Sequence, residues 1–234
     1  MTVDSVKFDP KLWRPYYLFL SQVSAFMADI GADCKGVDPG PPPDGYPQNE
    51  IDDVVRKRGE VDRDPDRKKR IISQDRAFPD FLEAFGLTYP VAETRFPWVH
   101  AATYSLPIEL SRPVLLNLKR RYDAARPWQL AADLRLVVPN PGHPAYPSGH
   151  TCQCWLAVEM IKCVMPDNLL TEKAVKFIED LAADTAVNRE YAGLHYMSDT
   201  AAGRRLTQNM MPYIKKHFAD LIAGAQKEAR TAVL

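Results

Sequence analysis

The sequence predicts an all-α protein that folds as a single domain. Apolar residues recur three and four positions apart along most of the chain after residue 70, as in amphipathic helices. A chain of 234 residues is long enough to bury one large core. No internal repeat is apparent, which argues against a solenoid. We therefore expect one helical domain over residues 1–234, with its helical core in residues 101–225.

Six segments carry the helical pattern. The first is the uncharged run at residues 16–28, which is too short to span a bilayer and which we interpret as a buried or docking helix. The other predicted helices lie at residues 78–85, 106–125, 151–165, 171–191 and 195–229. Only residues 134–138, with the sequence Leu-Arg-Leu-Val-Val, resemble a strand.

Residues 31–70 differ in character from the segments around them. Proline, glycine and mixed charges leave little apolar surface to bury there. We interpret this stretch as a long, partly mobile surface loop, with a lid over a binding site as the alternative. Residues 1–100 as a whole are expected to be helix and loop, and they contain no recognisable motif.

The overall charge of the chain gives no electrostatic attraction toward an anionic partner. Lysine plus arginine equals aspartate plus glutamate at 30 each, so we expect no nucleic-acid partner and no membrane partner. Basic residues precede the run at 16–28, as in an export signal, but aspartates interrupt them and no small-x-small cleavage site follows. A cytoplasmic location is expected, with a periplasmic one as the alternative.

The 4 cysteines are too few for a disulfide scaffold, and we expect reduced, buried thiols. Cys152 and Cys154 form a C-x-C pair within a predicted helix. Because a zinc site needs a second pair of ligands, we expect no metal there.

A first candidate cluster contains Lys119 and Arg126, which stand 7 residues apart. On a helix that spacing places both cations on one face, and Pro127 is expected to end the helix at Arg126. Two cations at a helix end can clamp an anion. The alternative is that they only compensate the helix dipole.

The second cluster is the stretch Pro147 to His150. Ser148 is a favoured N-cap, and Gly149 lets a ligand approach the backbone N–H groups that begin the next helix. His150 lies in the first turn of that helix, where a bound dianion would favour its protonation. A capped helix with an exposed histidine is the alternative.

The third cluster runs from Arg189 to Asp199. His195 and Asp199 stand 4 residues apart, so the carboxylate can orient one ring nitrogen and leave the other free to attack. Gly193 breaks the helical pattern, and we expect one helix to end near Arg189 and another to begin near His195. A surface ion pair is the alternative.

In this order and spacing, the three clusters resemble the type 2 phosphatidic acid phosphatase and vanadium haloperoxidase superfamily. Its pattern is K-x6-RP, then PSGH, then SR-x5-H-x3-D, and Asn188 departs from it where the family has serine. The resemblance covers residues 119–199. In length, the chain is most similar to the soluble bacterial class A acid phosphatases.

The resemblance implies an all-α bundle with a pocket in its core and a small-molecule phosphate ester as the substrate, with no cofactor. His195 would attack phosphorus, Asp199 would orient it, and His150 would protonate the leaving oxygen. The phosphoryl oxygens would be held by Lys119, Arg126, Ser148, Gly149 and Arg189. Such a cage stabilises the charge that spreads over those oxygens.

Two other functions stay open at this stage. The same cage can hold vanadate as the cofactor of a haloperoxidase, with His195 as the vanadium ligand, and His143 at the pocket rim favours this reading. A superfamily member recruited to a different reaction is the second alternative. A lipid phosphatase is disfavoured because the sequence shows no spanning helix. Family habit makes a homo-oligomer reasonable.

Overall fold

The computed structural model describes residues 12–76, 78–87 and 91–232. Within these ranges the regular structure is helical throughout, and no strand occurs. The predicted all-α fold class is therefore confirmed.

Eleven α-helices follow one another in the described ranges: α1 Pro15–Asp29, α2 Gln48–Val61, α3 Pro65–Arg76, α4 Val91–Arg95, α5 Pro97–His100, α6 Leu106–Tyr122, α7 Pro127–Leu130, α8 Gly149–Val164, α9 Glu172–Tyr191, α10 Met197–His217 and α11 Ala219–Ala232. Two 3₁₀ segments, Ala32–Val37 and Phe81–Phe85, lie between them. A π-helical turn at Ala101–Ser105 joins α5 to α6.

The helix α8 lies at the centre of the bundle. It packs against α6, α9, α10 and α11. Because its apolar residues surround the helix instead of forming one stripe, it is suited to a fully enclosed position. Leu156, Val158 and Ile161 are completely buried there. The N-terminus of α8 thus begins inside the protein, beside the end of α6 and the turn after α9.

The surface loop predicted over residues 31–70 is wrong for residues 48–70. All of α2 and the first half of α3 lie in that stretch, and they pack against α9. Val54, Val61 and Ile71 are their buried contacts. The many charges that suggested a loop instead support the helices through ion pairs three and four residues apart, including Lys57 with Asp53.

The strand predicted at residues 134–138 is also wrong. That segment is irregular, and its backbone makes one hydrogen bond across to the turn after α9, from Val137 N–H to Ala192 O at 3.3 Å. Leu136, Val137 and Val138 pack in a small cluster with Val61 and Ile71. The apolar residues of this segment therefore reflect packing of a loop against helices and not sheet formation.

Two helix boundaries differ from the predictions. Residues 78–85 form only a short 3₁₀ segment, and residues 195–229 divide into α10 and α11 at Phe218.

The thiols are free, and Cys34, Cys152 and Cys154 are buried as expected. In the described ranges, no helix has the length and apolar character needed to cross a membrane.

Candidate active site

A cavity of 180 Å³ lies where α6 ends and α8 begins. Six of the predicted site residues line it: Lys119, Arg126, His143, Gly149, His150 and His195. The other three, Ser148, Arg189 and Asp199, lie behind this wall and are completely buried. A larger cavity of 860 Å³ at the start of α1 contains none of the predicted residues, so its size does not make it the better candidate.

The geometry expected for Lys119 and Arg126 is wrong, although both reach the cavity. The helix α6 ends at Tyr122, and Asp123 turns the chain with a φ of 43° in the left-handed region. Arg126 is therefore extended and precedes α7 instead of lying on the face of α6. The turn, and not two helical turns, brings the two cations together.

Both cations are buried and are held by backbone carbonyls. The Lys119 ammonium donates to Pro144 O at 2.9 Å and to Ala145 O at 2.6 Å. The Arg126 guanidinium donates to the carbonyl oxygens of His143, Pro144 and Leu194 at 3.0, 3.1 and 2.7 Å. Neither cation has a carboxylate at ion-pair distance among the residues that the structure describes.

Two imidazoles complete the contacts of Arg126. Its Nη1 lies 3.2 Å from His195 Nε2, and its Nη2 lies 3.0 Å from His143 Nδ1. Because a guanidinium only donates, His195 Nε2 must accept, whereas His143 Nδ1 also lies 3.1 Å from Pro144 O, a contact in which it would donate. His195 Nε2 therefore carries a lone pair on the cavity side, and the ring proton of His195 resides on Nδ1.

Asp199 accepts the hydrogen bond from that Nδ1–H. His195 Nδ1 lies 2.9 Å from Asp199 Oδ2, and the same oxygen accepts the Tyr196 N–H at 3.1 Å. His195 and Asp199 do not share a helix face, although their spacing would allow it, since His195 precedes α10 and Asp199 lies in its first turn. The carboxylate thus caps the helix and orients the imidazole at the same time.

Tyr46 is a functional candidate that the sequence did not reveal. Its hydroxyl donates to Asp199 Oδ1 at 2.7 Å, and its ring stacks on Tyr196 with centroids 3.8 Å apart. It lies in the stretch interpreted as a surface loop. The only local signal is its place between Gly45 and Pro47, which is typical of a constrained turn.

The start of α8 matches the predicted turn. Ser148 is the N-cap residue, but its hydroxyl accepts from Thr151 Oγ1 at 2.9 Å instead of capping a backbone N–H. The Ser148 N–H donates to Asp199 O at 3.0 Å, which ties α8 to α10. Gly203 allows this approach, because a Cβ there would lie 2.6 Å from Ser148 O. His150 is half-buried in the first turn.

Arg189 is anchored from α3 and lies within α9, which continues to Tyr191. It donates to Asp75 Oδ1 at 3.1 Å and to Ile71 O at 2.8 Å. Its Nε is buried with no hydrogen-bond partner in the described part of the chain. Asp75 and Ile71 are further contributors that the sequence did not reveal, because no local pattern connects α3 to a residue in α9.

Asn188 has a structural explanation at the position where the family has serine. Its amide accepts from Arg67 Nη1 at 3.0 Å and donates to Gln74 Oε1 and Asp184 Oδ2, both at 2.9 Å. The residue therefore fastens α3 to α9, beside the arginine that α3 anchors.

The site carries an excess of buried positive charge. Burial lowers the pKa of Lys119 well below its ordinary value and lowers that of Arg126 to about 10. Burial and these neighbouring cations lower the pKa of His195, and burial with Arg189 and Lys119 lowers that of His150 to about 3. Both imidazoles are therefore neutral at pH 7 before an anion binds.

The one carboxylate inside the cluster is also perturbed. Burial raises the pKa of Asp199 to about 6, against the hydrogen bonds from Tyr46 and the Tyr196 N–H. It is therefore mostly ionised at pH 7 and offers one negative charge to the nearby cations. The arrangement is suited to a multiply charged anion such as a phosphoryl group.

Comparison with protein-family models and with curated proteins found no match to this chain. Membership of the phosphatase and haloperoxidase superfamily therefore stays a prediction carried by the motif residues.

Proposed function

We propose that this protein is a phosphomonoesterase that forms a phosphohistidine on His195. One observation carries the proposal: Lys119 and Arg126 are buried cations without a carboxylate partner in the described ranges, and they line one cavity with the unprotonated Nε2 of His195. Burying uncompensated charge is costly, so such a cluster is expected where a ligand supplies the counter-charge. A phosphate ester dianion has the required charge and oxygens.

The nucleophile is His195 Nε2. Asp199 holds the proton on Nδ1, so the lone pair of Nε2 is directed to the cavity. In the free protein this lone pair accepts from Arg126 Nη1. Substrate binding would exchange that contact, with the guanidinium turning its N–H to a phosphoryl oxygen and releasing Nε2 for attack on phosphorus.

His150 is the proposed acid. Its pKa of about 3 in the free protein results from burial and from the cations Arg189 and Lys119. A bound dianion offsets those cations and raises the pKa, so protonation accompanies substrate binding. The Nε2–P bond then forms while the ester P–O bond breaks, and the leaving oxygen takes the proton from His150.

Hydrolysis of the intermediate reverses these roles. Water attacks phosphorus, the P–Nε2 bond breaks, and His150 takes a proton from the water. Charge on the phosphoryl oxygens is met by Lys119, Arg126 and the N–H groups that begin α8, the groups suited to stabilising such a transition state. Arg189, held by α3 with its Nε unpaired among the residues that the structure describes, supplies a third cation.

One observation favours the haloperoxidase as the second candidate. His143 lines the cavity and touches Arg126, so a second imidazole is available there besides His150. Vanadate has the charge of phosphate and would be held by the same cations, with His195 as its protein ligand. When bound, it would supply peroxide activation.

Two assays on the purified chain separate the candidates. The proposed function predicts hydrolysis of an aryl phosphate that resists a chelator and is inhibited by vanadate. Bromination of a dye with vanadate and peroxide, without hydrolysis of the aryl phosphate, would instead support the haloperoxidase. Absence of both activities would favour recruitment to a different reaction.

A further inference from the structure

Beyond its charged groups, the active-site cavity has an apolar wall. Leu115, Leu116, Pro141 and Leu194 contribute this wall. The remaining lining residues with polar side chains are Arg112 and Gln153. The apolar residues have no role in the proposed reaction steps. They are placed to contact a part of the substrate that does not react.

The helix α6 orders the wall from the interior to the surface. Leu115 and Lys119 stand four residues apart and share one helix face. Lys119 is buried and Leu115 is nearly so, whereas Leu116 is 47% exposed. A group bound at the Lys119 ammonium therefore meets Leu115 next and Leu116 at the mouth.

The start of α8 forms the opposite side of the cavity. A Cβ at Gly149 would lie 3.7 Å from Leu115 Cδ1, so the leucine rests directly over the glycine backbone. His150 follows in the same turn. If His150 protonates the leaving oxygen, the carbon atoms attached to that oxygen lie between this turn and the two leucines.

The cavity is small. Its volume of 180 Å³ is below the range of about 300–1,000 Å³ that is typical for sites of drug-sized ligands. A nucleotide or a bisphosphate therefore fits the cavity poorly.

We infer that the site selects small phosphate monoesters with an apolar leaving group, such as a short alkyl or aryl group, and that Leu116 determines this preference. The inference rests on the proposed function for the reaction, but the binding preference can be measured without turnover. Placing polar ligand atoms against an apolar wall is expected to weaken binding about tenfold, as small changes do in other hydrophobic pockets.

The test uses two phosphonates that cannot be hydrolysed, n-butylphosphonate and 2,3-dihydroxypropylphosphonate. They carry the same anionic group and differ in the polarity of the chain. Calorimetry on the full chain should give about tenfold tighter binding of the butyl compound. Leu116→Gln should bring the ratio close to one. Leu130→Gln is the matched control, since Leu130 is 45% exposed and does not line the cavity, and it should leave the ratio unchanged.

Equal affinities in the wild-type protein, or an unchanged ratio in Leu116→Gln, would overturn the inference. Hydrolysis of n-butyl phosphate is measured in parallel. The predicted affinity ratio without any hydrolysis would support the apolar wall and contradict the phosphomonoesterase. Failure of both phosphonates to bind would contradict both proposals.

Discussion

The hydrogen bond from Tyr46 to Asp199 leads to a prediction about pH dependence. Tyr46→Phe removes one hydroxyl that donates to Asp199 Oδ1 at 2.7 Å and keeps the ring that stacks on Tyr196. A hydrogen bond to a charged group contributes about 1.5–3 kcal/mol. At 1.36 kcal/mol per pKa unit, its loss should raise the pKa of Asp199 by about 1–2 units above the value of about 6.

Activity should report this change. Protonated Asp199 no longer accepts from His195 Nδ1, so the acid side of the kcat/KM profile should move to higher pH in Tyr46→Phe. Comparing the two proteins on one substrate cancels the ionisation of the substrate itself. Tyr17→Phe, at an exposed tyrosine in α1, is the control and should leave the profile unchanged. An acid side that does not move, or that moves to lower pH, would show that the Tyr46 hydroxyl does not keep Asp199 ionised.

Stability should change with the matching sign. The pKa of Asp199 in the folded protein is raised above its unfolded value, so its contribution to stability is present at low pH and is lost as pH rises through the folded pKa. Tyr46→Phe raises that pKa further. The variant should therefore be less stable than the wild type by roughly 1.5–3 kcal/mol at pH 8, with the difference shrinking as pH falls through the two folded-state pKa values and largely lost at pH 5. Urea denaturation at both pH values measures this.

Three further predictions concern packing and charge. Gly203→Ala should destabilise the fold by about 1–3 kcal/mol and reduce activity, because its Cβ would lie 2.6 Å from Ser148 O, whereas Gly59→Ala, with open space around it, should be neutral or stabilising in urea denaturation. Arg126→Lys keeps the charge but supplies three donors for the five contacts of the guanidinium. The free energy of unfolding should therefore fall by roughly 2–6 kcal/mol, and a fall below about 1 kcal/mol would contradict these contacts. Phosphate at about one hundred times its Kd should stabilise the protein by about 2.7 kcal/mol, a Tm increase of roughly 5–11 °C. Lys119→Gln should lower this affinity, and an equal Tm increase in the variant would argue against an anion site at Lys119.

The helices that surround the site were predictable because their apolar residues recur at helical spacing. The predicted helices at 151–165 and 171–191 correspond to α8 and α9 within about two residues. By contrast, α2 and α3 were missed, since each buries only a few apolar residues and is otherwise charged. Their stability comes from ion pairs along the helix and from packing on α9, and packing on a distant element leaves no local pattern.

The candidate site shows the same division. The motif residues could be proposed from their spacing, but their orientation depends on contacts that spacing does not encode. Tyr46 lies 153 residues from the carboxylate that it contacts, and Asp75 lies 114 residues from Arg189. The left-handed turn at Asp123 explains why Arg126 reaches the cavity without lying on α6.

The proposed reaction requires that His195 Nε2 becomes phosphorylated during turnover. The most direct measurement is rapid quenching of the full chain with a ³²P-labelled aryl phosphate, followed by peptide mapping under alkaline conditions that preserve phosphohistidine. We expect label on His195 in the wild-type protein and none in His195→Ala, which should also lose hydrolysis. Hydrolysis that persists in His195→Ala, or label on a different residue, would contradict the proposed reaction.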